Sequence, residues 1–459
     1  MHDASQPTQG PERGQWGSNL GFVLAAAGSA IGLGNIWRFP YVAGENGGAA
    51  FVIIYLACIA LICLPYLFAE LIVGRHSNRN PVGAIKAIAP NTPWWVVGGM
   101  GVLTGVFILS YYGVIAGWVF GYVFKGFVGH DMAFGTFIAT PHLVIPLFAL
   151  FMLFTVFVVL GGVEKGIERA SKILMPVLLV LMLVVIVRGL TLPGAGAGLE
   201  FYLKPDFSKV NGGVVLAALG QAFFSLSLGM GAMITYGSYL PKTSNLRTAG
   251  GSVAIFDTGI ALMAGFMIFP AVFATGADPA GGPALVFVTL PQVFDAMPGG
   301  QVIGLIFFLL LSVAALTSTV SLLEVVVSYV VDEQKWSRRK SVWTVAIITF
   351  LIGIPSALSQ GAVPALGGEG FSVLGQSDFL SVMDFIWGNI SLALGALLLC
   401  VFVGWVWGKQ GAAGELRQGS AIGDGSIDFW WVFIRFICPI VIFIVLLNIF
   451  GVFGDFVAA

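Results

Sequence analysis

Residues 27–48 read AGSAIGLGNIWRFPYVAGENGG, an apolar stretch interrupted by closely spaced glycines, an asparagine and an arginine. The chain around it is 58% hydrophobic and 9% charged, with mean hydropathy +0.96, against about 25% charged in an ordinary soluble domain. That is the composition of an integral membrane protein. Inside a bilayer every backbone N–H and C=O must find a partner, so irregular backbone survives only where it lines a cavity or is buried in protein. The stretch therefore predicts a helix interrupted near Gly28–Asn35, with a site at the interruption.

The same composition excludes other classes. A net charge of −1 gives no basic surface for nucleic acid, and the N-terminal MHDASQPTQGPERGQ lacks the apolar core of a cleavable signal, so the first apolar segment is expected to stay. Cys58, Cys63, Cys400 and Cys438 lie in apolar runs, where they read as small hydrophobes, and the four histidines show no HExxH or other ligand spacing. No phosphate-binding loop and no nucleophile-and-base motif appears, which argues against direct ATP drive and against an enzyme.

Apolar runs predict eleven spans, near 20–42, 48–73, 96–124, 143–161, 170–190, 213–240, 252–275, 301–331, 342–356, 379–407 and 430–453. With the N-terminus (1–19) cytoplasmic, the inside loops hold fifteen Lys and Arg, among them Arg13, Arg75, Lys242 and Lys409, and the outside holds five, with Arg435 just inside the last span. This asymmetry follows the positive-inside rule and puts the C-terminus outside.

A second interruption lies in the sixth span, at Ser225-Leu226-Ser227-Leu228-Gly229-Met230-Gly231-Ala232. Superposing its GMG on GLG gives 32 + 197 = 229, an offset of five spans. An odd offset reverses topology, so two five-helix repeats, 20–190 and 213–407, would be related by a two-fold in the membrane plane, with the eleventh helix at 430–453 outside them. The plainer reading, small residues that only let helices pack closely, accounts for either interruption alone but not for their matched positions. Half-helices that start at a break offer N–H groups and those that end there offer carbonyls, so one pocket can hold an anion and a cation. A zwitterionic amino acid carried with sodium fits, its carboxylate at the Leu33 and Gly34 amides.

GSAIGLGNIWRFP with ENGG, then GQAFFSLSLGMGAMITYGSY, then ALTSTVS at 315–321 resemble the neurotransmitter:sodium symporter family over roughly 13–407. The resemblance implies an all-α polytopic fold of five-plus-five inverted repeats with discontinuous first and sixth helices, and sodium-coupled uptake. It implies two Na+ sites. The first would use the Ala30 carbonyl, Asn35, Ser225 and Asp257. The second would use the carbonyls of Gly28, Ile31 and Ala314 with the hydroxyls of Thr317 and Ser318, oxygen donors that suit a hard cation. Thr317 and Ser318 could equally bond back to their own helix.

Substrate contacts implied by the resemblance are Ser29, Ala30, Leu33, Gly34, Ile108, Tyr112, Phe224, Ser225, Ser227, Met230, Ser318 and Leu322. Tyr112 would donate to the carboxylate while Ile108, Phe224, Met230 and Leu322 form an apolar wall. No acidic residue faces the side chain, so a neutral hydrophobic L-amino acid is expected rather than an amine. Arg38 and Asp384 with Phe224 as lid match the outer gate, a snorkelling Arg38 being the alternative. Arg13 and Asp332, with Trp16 and Tyr239, match the cytoplasmic one. Gly166 and Pro176 match a segment of the fifth span that unwinds as an inward-opening hinge, against an ordinary loop end with a packing proline.

The chain departs from the family at Asp257, where Asn is usual, and at Ala261, where chloride-dependent members carry a hydroxyl. The expectation is that Asp257 supplies the negative charge and transport is chloride-independent. Glu45, Glu70 and Glu324 are acids in or beside spans; Glu70 and Glu324 read as helix–helix hydrogen bonds or as proton carriers. The reading is a symporter of the cell's inner (plasma) membrane working by alternating access, with a small-molecule amino acid and the lipid bilayer as partners and its oligomeric state open. A sensor on the same scaffold and a proton-coupled transporter are the alternatives. Eleven spans are expected where many members have twelve, so a dimer interface built on the last helix is not carried over from the resemblance.

Overall fold

The apolar runs become membrane-length helices in the computed structural model, which describes residues 14–128, 132–280, 285–368, 370–420 and 422–454. Among these residues nine helices are long and apolar enough to cross a bilayer unbroken. They are Ala49–Ser77, Trp95–Phe124, Pro141–Leu160, Val163–Leu190, Leu246–Ala274, Gly300–Gln334, Arg338–Leu358, Phe379–Arg417 and Asp424–Ile449. The first span is a bent pair, Asn19–Ala30 and Gly34–Glu45, meeting at 54°. Two shorter helices, Gly212–Ser225 and Ala232–Gly237, stand where the sixth span was expected.

Helix starts are set by side chains that take up orphan N–H groups. Ser18 accepts from Gly21, Asn211 from Val214, Asn245 from Thr248 and Ser337 from Lys340. Each such cap stabilises by about 0.5–2 kcal/mol. With lipid as apolar as leucine, helix association rests on close approach of backbones. At Gly353 an added Cβ would lie 2.4 Å from the Ser110 carbonyl, so the ninth span can meet the third only through glycine.

The spans differ in how they are enclosed. The third, Trp95–Phe124, has 83% of its apolar window buried, whereas the last, Asp424–Ile449, has 22%. The third therefore forms an inner wall, and the last is exposed on the outside of the bundle.

Two local expectations change, at the end of the tenth span and at Arg75. The tenth span does not stop at 407: it continues as Gly408–Arg417 beyond Gly408, whose φ of 81° turns the chain. The start of the fifth span is wound here rather than open, as a π-helical turn Val163–Glu168 followed by Arg169–Leu190 with Pro176 inside. Gly166 is locked against the fourth span, since a Cβ there would fall 2.2 Å from the Val158 carbonyl. Arg75, read as a loop cation, is fully buried.

Candidate functional site

Both predicted interruptions exist, and they meet. The first half-helix ends at Ala30, Ile31 turns extended (φ −69°, ψ 108°), and helical backbone resumes at Gly34. The second interruption runs between Ser225 and Ala232 and is possible because Ser227, Gly229 and Gly231 take positive φ (53°, 85° and 75°). At Gly229 the choice is forced twice over, because a Cβ would also sit 2.4 Å from the Leu392 carbonyl. Ser227 donates its hydroxyl to the Ser29 carbonyl at 3.2 Å, tying one break to the other.

Around the first break the polar groups form a closed, fully buried network. Asn35 Nδ2 donates to Ser225 Oγ (2.9 Å), to the Asp257 carbonyl (3.1 Å) and to Asp257 Oδ1 (2.8 Å). Ser225 Oγ donates to Asp257 Oδ2 at 2.8 Å and accepts from Tyr55 at 3.1 Å. Asn35 Oδ1 accepts from Gly32 N at 3.3 Å. Buried polar groups joined this way, beside the carbonyls of the helix end at Ala30, are a set of oxygen donors suited to a small hard cation. Tyr55 was not anticipated, although a tyrosine in an otherwise apolar span was the available signal.

A second set lies at the same break, on the Gly300–Gln334 helix. Thr317 Oγ1 donates to the Ala314 carbonyl at 2.9 Å and reaches the Ile31 carbonyl at 3.4 Å. Ser318 Oγ reaches the carbonyls of Ser29 (3.3 Å), Ile31 (3.4 Å) and Ala314 (3.4 Å). Both expected uses of these hydroxyls, back-bonding and facing the other helix, are thus present together. Gly28 allows the approach, since a Cβ there would be 3.3 Å from Thr317 Cβ.

Between the breaks lies a cavity of about 330 Å³. Ser29, Ala30, Leu33, Gly34, Ser227 and Ser318 supply its backbone and hydroxyl lining; Ile108, Tyr112, Phe224, Met230 and Leu322 supply the apolar and aromatic wall. Ser225 is not on that wall: its partners all belong to the Asn35 and Asp257 network, which corrects its place among the expected substrate contacts. Tyr112 accepts a hydrogen bond from Leu33 N at 3.2 Å, which holds its hydroxyl against the backbone of the first break. Gln221 fixes the same turn by donating to the Gly34 carbonyl at 2.9 Å. Ser321, Trp37, Tyr111 and Phe385 also line the cavity and were missed; Tyr111 lies next to Tyr112 in the sequence, so the pair carried a signal.

The two ends of the cavity differ. On one side Arg38 and Asp384 both line it, but the ion pair expected between them is not formed among the described contacts. Asp384 accepts from Tyr111 (2.8 Å) and Asn389 (3.3 Å), and the Arg38 guanidinium lies 4.6 Å from the centroid of Phe224. On the other side the structure is sealed. Trp16 is 7% exposed, donates Nε1 to the Tyr236 carbonyl at 3.0 Å and packs edge-on to Tyr239. Asp332 accepts from Asn80 N at 2.9 Å; Arg13 lies outside the described residues.

Glu324 accepts from Tyr239 (2.7 Å) and is paired with Arg338 (2.5 Å), while Glu70 accepts from Gly229 N at 3.1 Å, buttressing the second break. A larger knot was not legible. Fully buried Arg75 donates Nε to Glu415 Oε1 at 2.7 Å and Nη1 to the Ser244 carbonyl at 2.7 Å, and Lys242 adds a contact to Glu415 at 3.0 Å.

A many-span helical protein with two broken helices crossing at an oxygen-rich, otherwise apolar cavity is built as a secondary transporter. Residues 13–138 and 136–455 match the profile of the sodium:neurotransmitter symporter family, and the chain belongs to that family. It is 40% identical over 447 residues to an uncharacterised sodium-dependent transporter of Bacillus subtilis, covering 95% of this chain and 98% of that one. It is also 27% identical to the sodium-dependent serotonin transporter of Drosophila melanogaster, over 96% of this chain and 77% of the relative. The crystal structure of MhsT in complex with L-phenylalanine superposes with a TM-score of 0.86 at 48% identity, covering 95% of this chain and all of MhsT. The chain is therefore a multi-pass transporter of a sodium-dependent family with a small-molecule substrate, not an enzyme.

Proposed function

We propose that the protein imports a neutral, hydrophobic L-amino acid together with sodium, and does so without chloride. The observation that carries the reading is the cavity lining: helix-end backbone and a tyrosine hydroxyl at one pole, an apolar wall at the other, and its one acid, Asp384, out at the Arg38 mouth. A carboxylate is held by the amides of Leu33 and Gly34 with Tyr112; a side chain rests against Ile108, Phe224, Met230 and Leu322. The L-phenylalanine bound by MhsT supports this class of substrate.

Two sodium ions travel with it. One takes the Asn35, Ser225 and Asp257 oxygens with the Ala30 carbonyl, the other the Thr317 and Ser318 hydroxyls with the carbonyls of Gly28, Ile31 and Ala314. Asp257 puts a full negative charge beside the first cation, and Ala261 offers chloride no hydroxyl. The Arg38 side is the outside and the Trp16 side the cytoplasm, as the distribution of Lys and Arg supports. The described arrangement then faces outward. Arg38 and Asp384 close over Phe224 when substrate binds, and release inward follows from opening at Trp16, Tyr239, Arg13 and Asp332, with the Gly166–Pro176 segment unwinding. The repeats 20–190 and 213–407 rock against each other.

Uptake of labelled phenylalanine or leucine into proteoliposomes, with sodium or chloride each replaced, tests this. Sodium-driven uptake that persists in gluconate is expected. Uptake indifferent to sodium would favour proton coupling, binding without uptake would favour a sensor, and a chloride requirement would remove the role given to Asp257.

A further inference from the structure

The last span carries a cation that none of these sites uses. Charged side chains within membrane helices ordinarily pair with one another or with backbone carbonyls. Arg435 does neither: among the described residues it makes no hydrogen bond or ion pair, and its Nε is buried without a partner. What surrounds it is aromatic. The guanidinium carbon lies 5.6 Å from the Trp405 ring centroid, 6.0 Å from Trp431 and 5.3 Å from Phe436. Ring faces attract the charge, yet they leave the five N–H donors of the guanidinium largely unsatisfied.

Depth and direction can be read from the helices. Lys409 and Asp428 form a pair at 2.6 Å between the tenth and eleventh spans, and Arg417 pairs with Asp424 further out. Arg435 follows Asp428 by seven residues, about 10 Å deeper along the helix. Helical side chains lean toward the N-terminus, so Arg435 points back toward that charged rim. Its place is fixed by a close contact: a Cβ added at Gly404 would lie 3.1 Å from Arg435 Cα. Both helices carry π-helical turns here, Phe402–Trp407 and Phe433–Ile437, a distortion often found at functional sites. Trp405 and Phe436, 46% and 49% exposed, open the place to the surroundings of the helix bundle.

We propose that Arg435, with Trp405 and Trp431, binds the phosphate of an anionic phospholipid in the leaflet on the Lys409–Asp428 side. A guanidinium donates two parallel N–H bonds to a phosphate, and indole rings are at home at the headgroup level. The choice of an anionic lipid over a zwitterionic one follows from the rim: Asp428 and Asp424 are already paired with Lys409 and Arg417, so a choline or ethanolamine cation would have to compete with those side chains for a carboxylate.

The test uses the full chain in nanodiscs, with tryptophan fluorescence quenched by brominated phosphatidylglycerol or brominated phosphatidylcholine at equal mole fraction. Phosphatidylglycerol is expected to be preferred about fivefold, the effect of one basic residue at an anionic surface. Arg435→Gln abolishes the preference and leaves phosphatidylcholine quenching unchanged; Trp405→Phe lowers the quenched fraction; inorganic phosphate competes no better than chloride. Equal quenching by the two lipids in the unaltered protein overturns the proposal without any variant, as does a preference that survives Arg435→Gln. Competition by free phosphate would assign the site to a soluble anion and reject the lipid.

Discussion

Replacing Asp257 with Asn removes the full charge at the first cation site and turns one of its two acceptor oxygens into a donor. The shape is kept, so the amide oxygen can still accept from Asn35 Nδ2, while the amide nitrogen faces Ser225 Oγ, whose hydrogen bond must reverse; both partners stand at 2.8 Å from the carboxylate oxygens. The larger loss is the full charge. Two unit charges about 4 Å apart at an effective dielectric of about 20 interact by about 4 kcal/mol. An amide oxygen retains a dipole, and the neutral group no longer pays the carboxylate's desolvation, so about half of this, about 2 kcal/mol, is the expected loss. That raises the sodium concentration for half-maximal substrate binding about 30-fold. The assay is labelled amino acid binding to purified protein across a sodium titration, repeated with chloride replaced by gluconate. A shift smaller than about threefold, well under 1 kcal/mol, would refute the claim that Asp257 carries the charge of this site. So would a chloride requirement in the unaltered protein.

Tyr112→Phe removes the hydroxyl that accepts from Leu33 N and weakens substrate binding about 10- to 100-fold, the range for a hydrogen bond to a charged group; competition binding checks it, with the sodium titration unmoved. Gly229→Ala places a Cβ 2.4 Å from the Leu392 carbonyl at a φ of 85°. It is expected to destabilise by about 2 kcal/mol or more, seen as a lower melting temperature in detergent with transport abolished. Arg75→Ala strips the buried Glu415 of its main partner and costs about 3–5 kcal/mol; thermal unfolding measures it, and an unchanged midpoint would show that Lys242 alone suffices.

What could be read from the chain without coordinates was the set of interruptions. GSAIGLGN and SLSLGMGA stand in runs otherwise greasy enough to span a bilayer, and hydrocarbon tolerates irregular backbone only around a cavity. Local composition therefore fixed where the helices part and that helix-end N–H and C=O groups are freed there, while the side chains expected to join them came from the family resemblance.

Pairing was different, because a partner chosen by helix packing leaves no mark near either residue. Arg75 sits among cations at a span end and looked like a loop residue, yet its carboxylate is 340 positions away in a segment that looked like loop as well. Ser225 was grouped with Asn35 and Asp257 by the family resemblance, but nothing local to it says that its half-helix turns the hydroxyl to them and away from the cavity. Arg38 and Asp384 share a mouth without touching, since the separation of two charged groups on different helices depends on how those helices tilt. Backbone satisfaction is a local demand and shows in the sequence; side-chain company is set by which helices lie side by side, and only the folded bundle decides it.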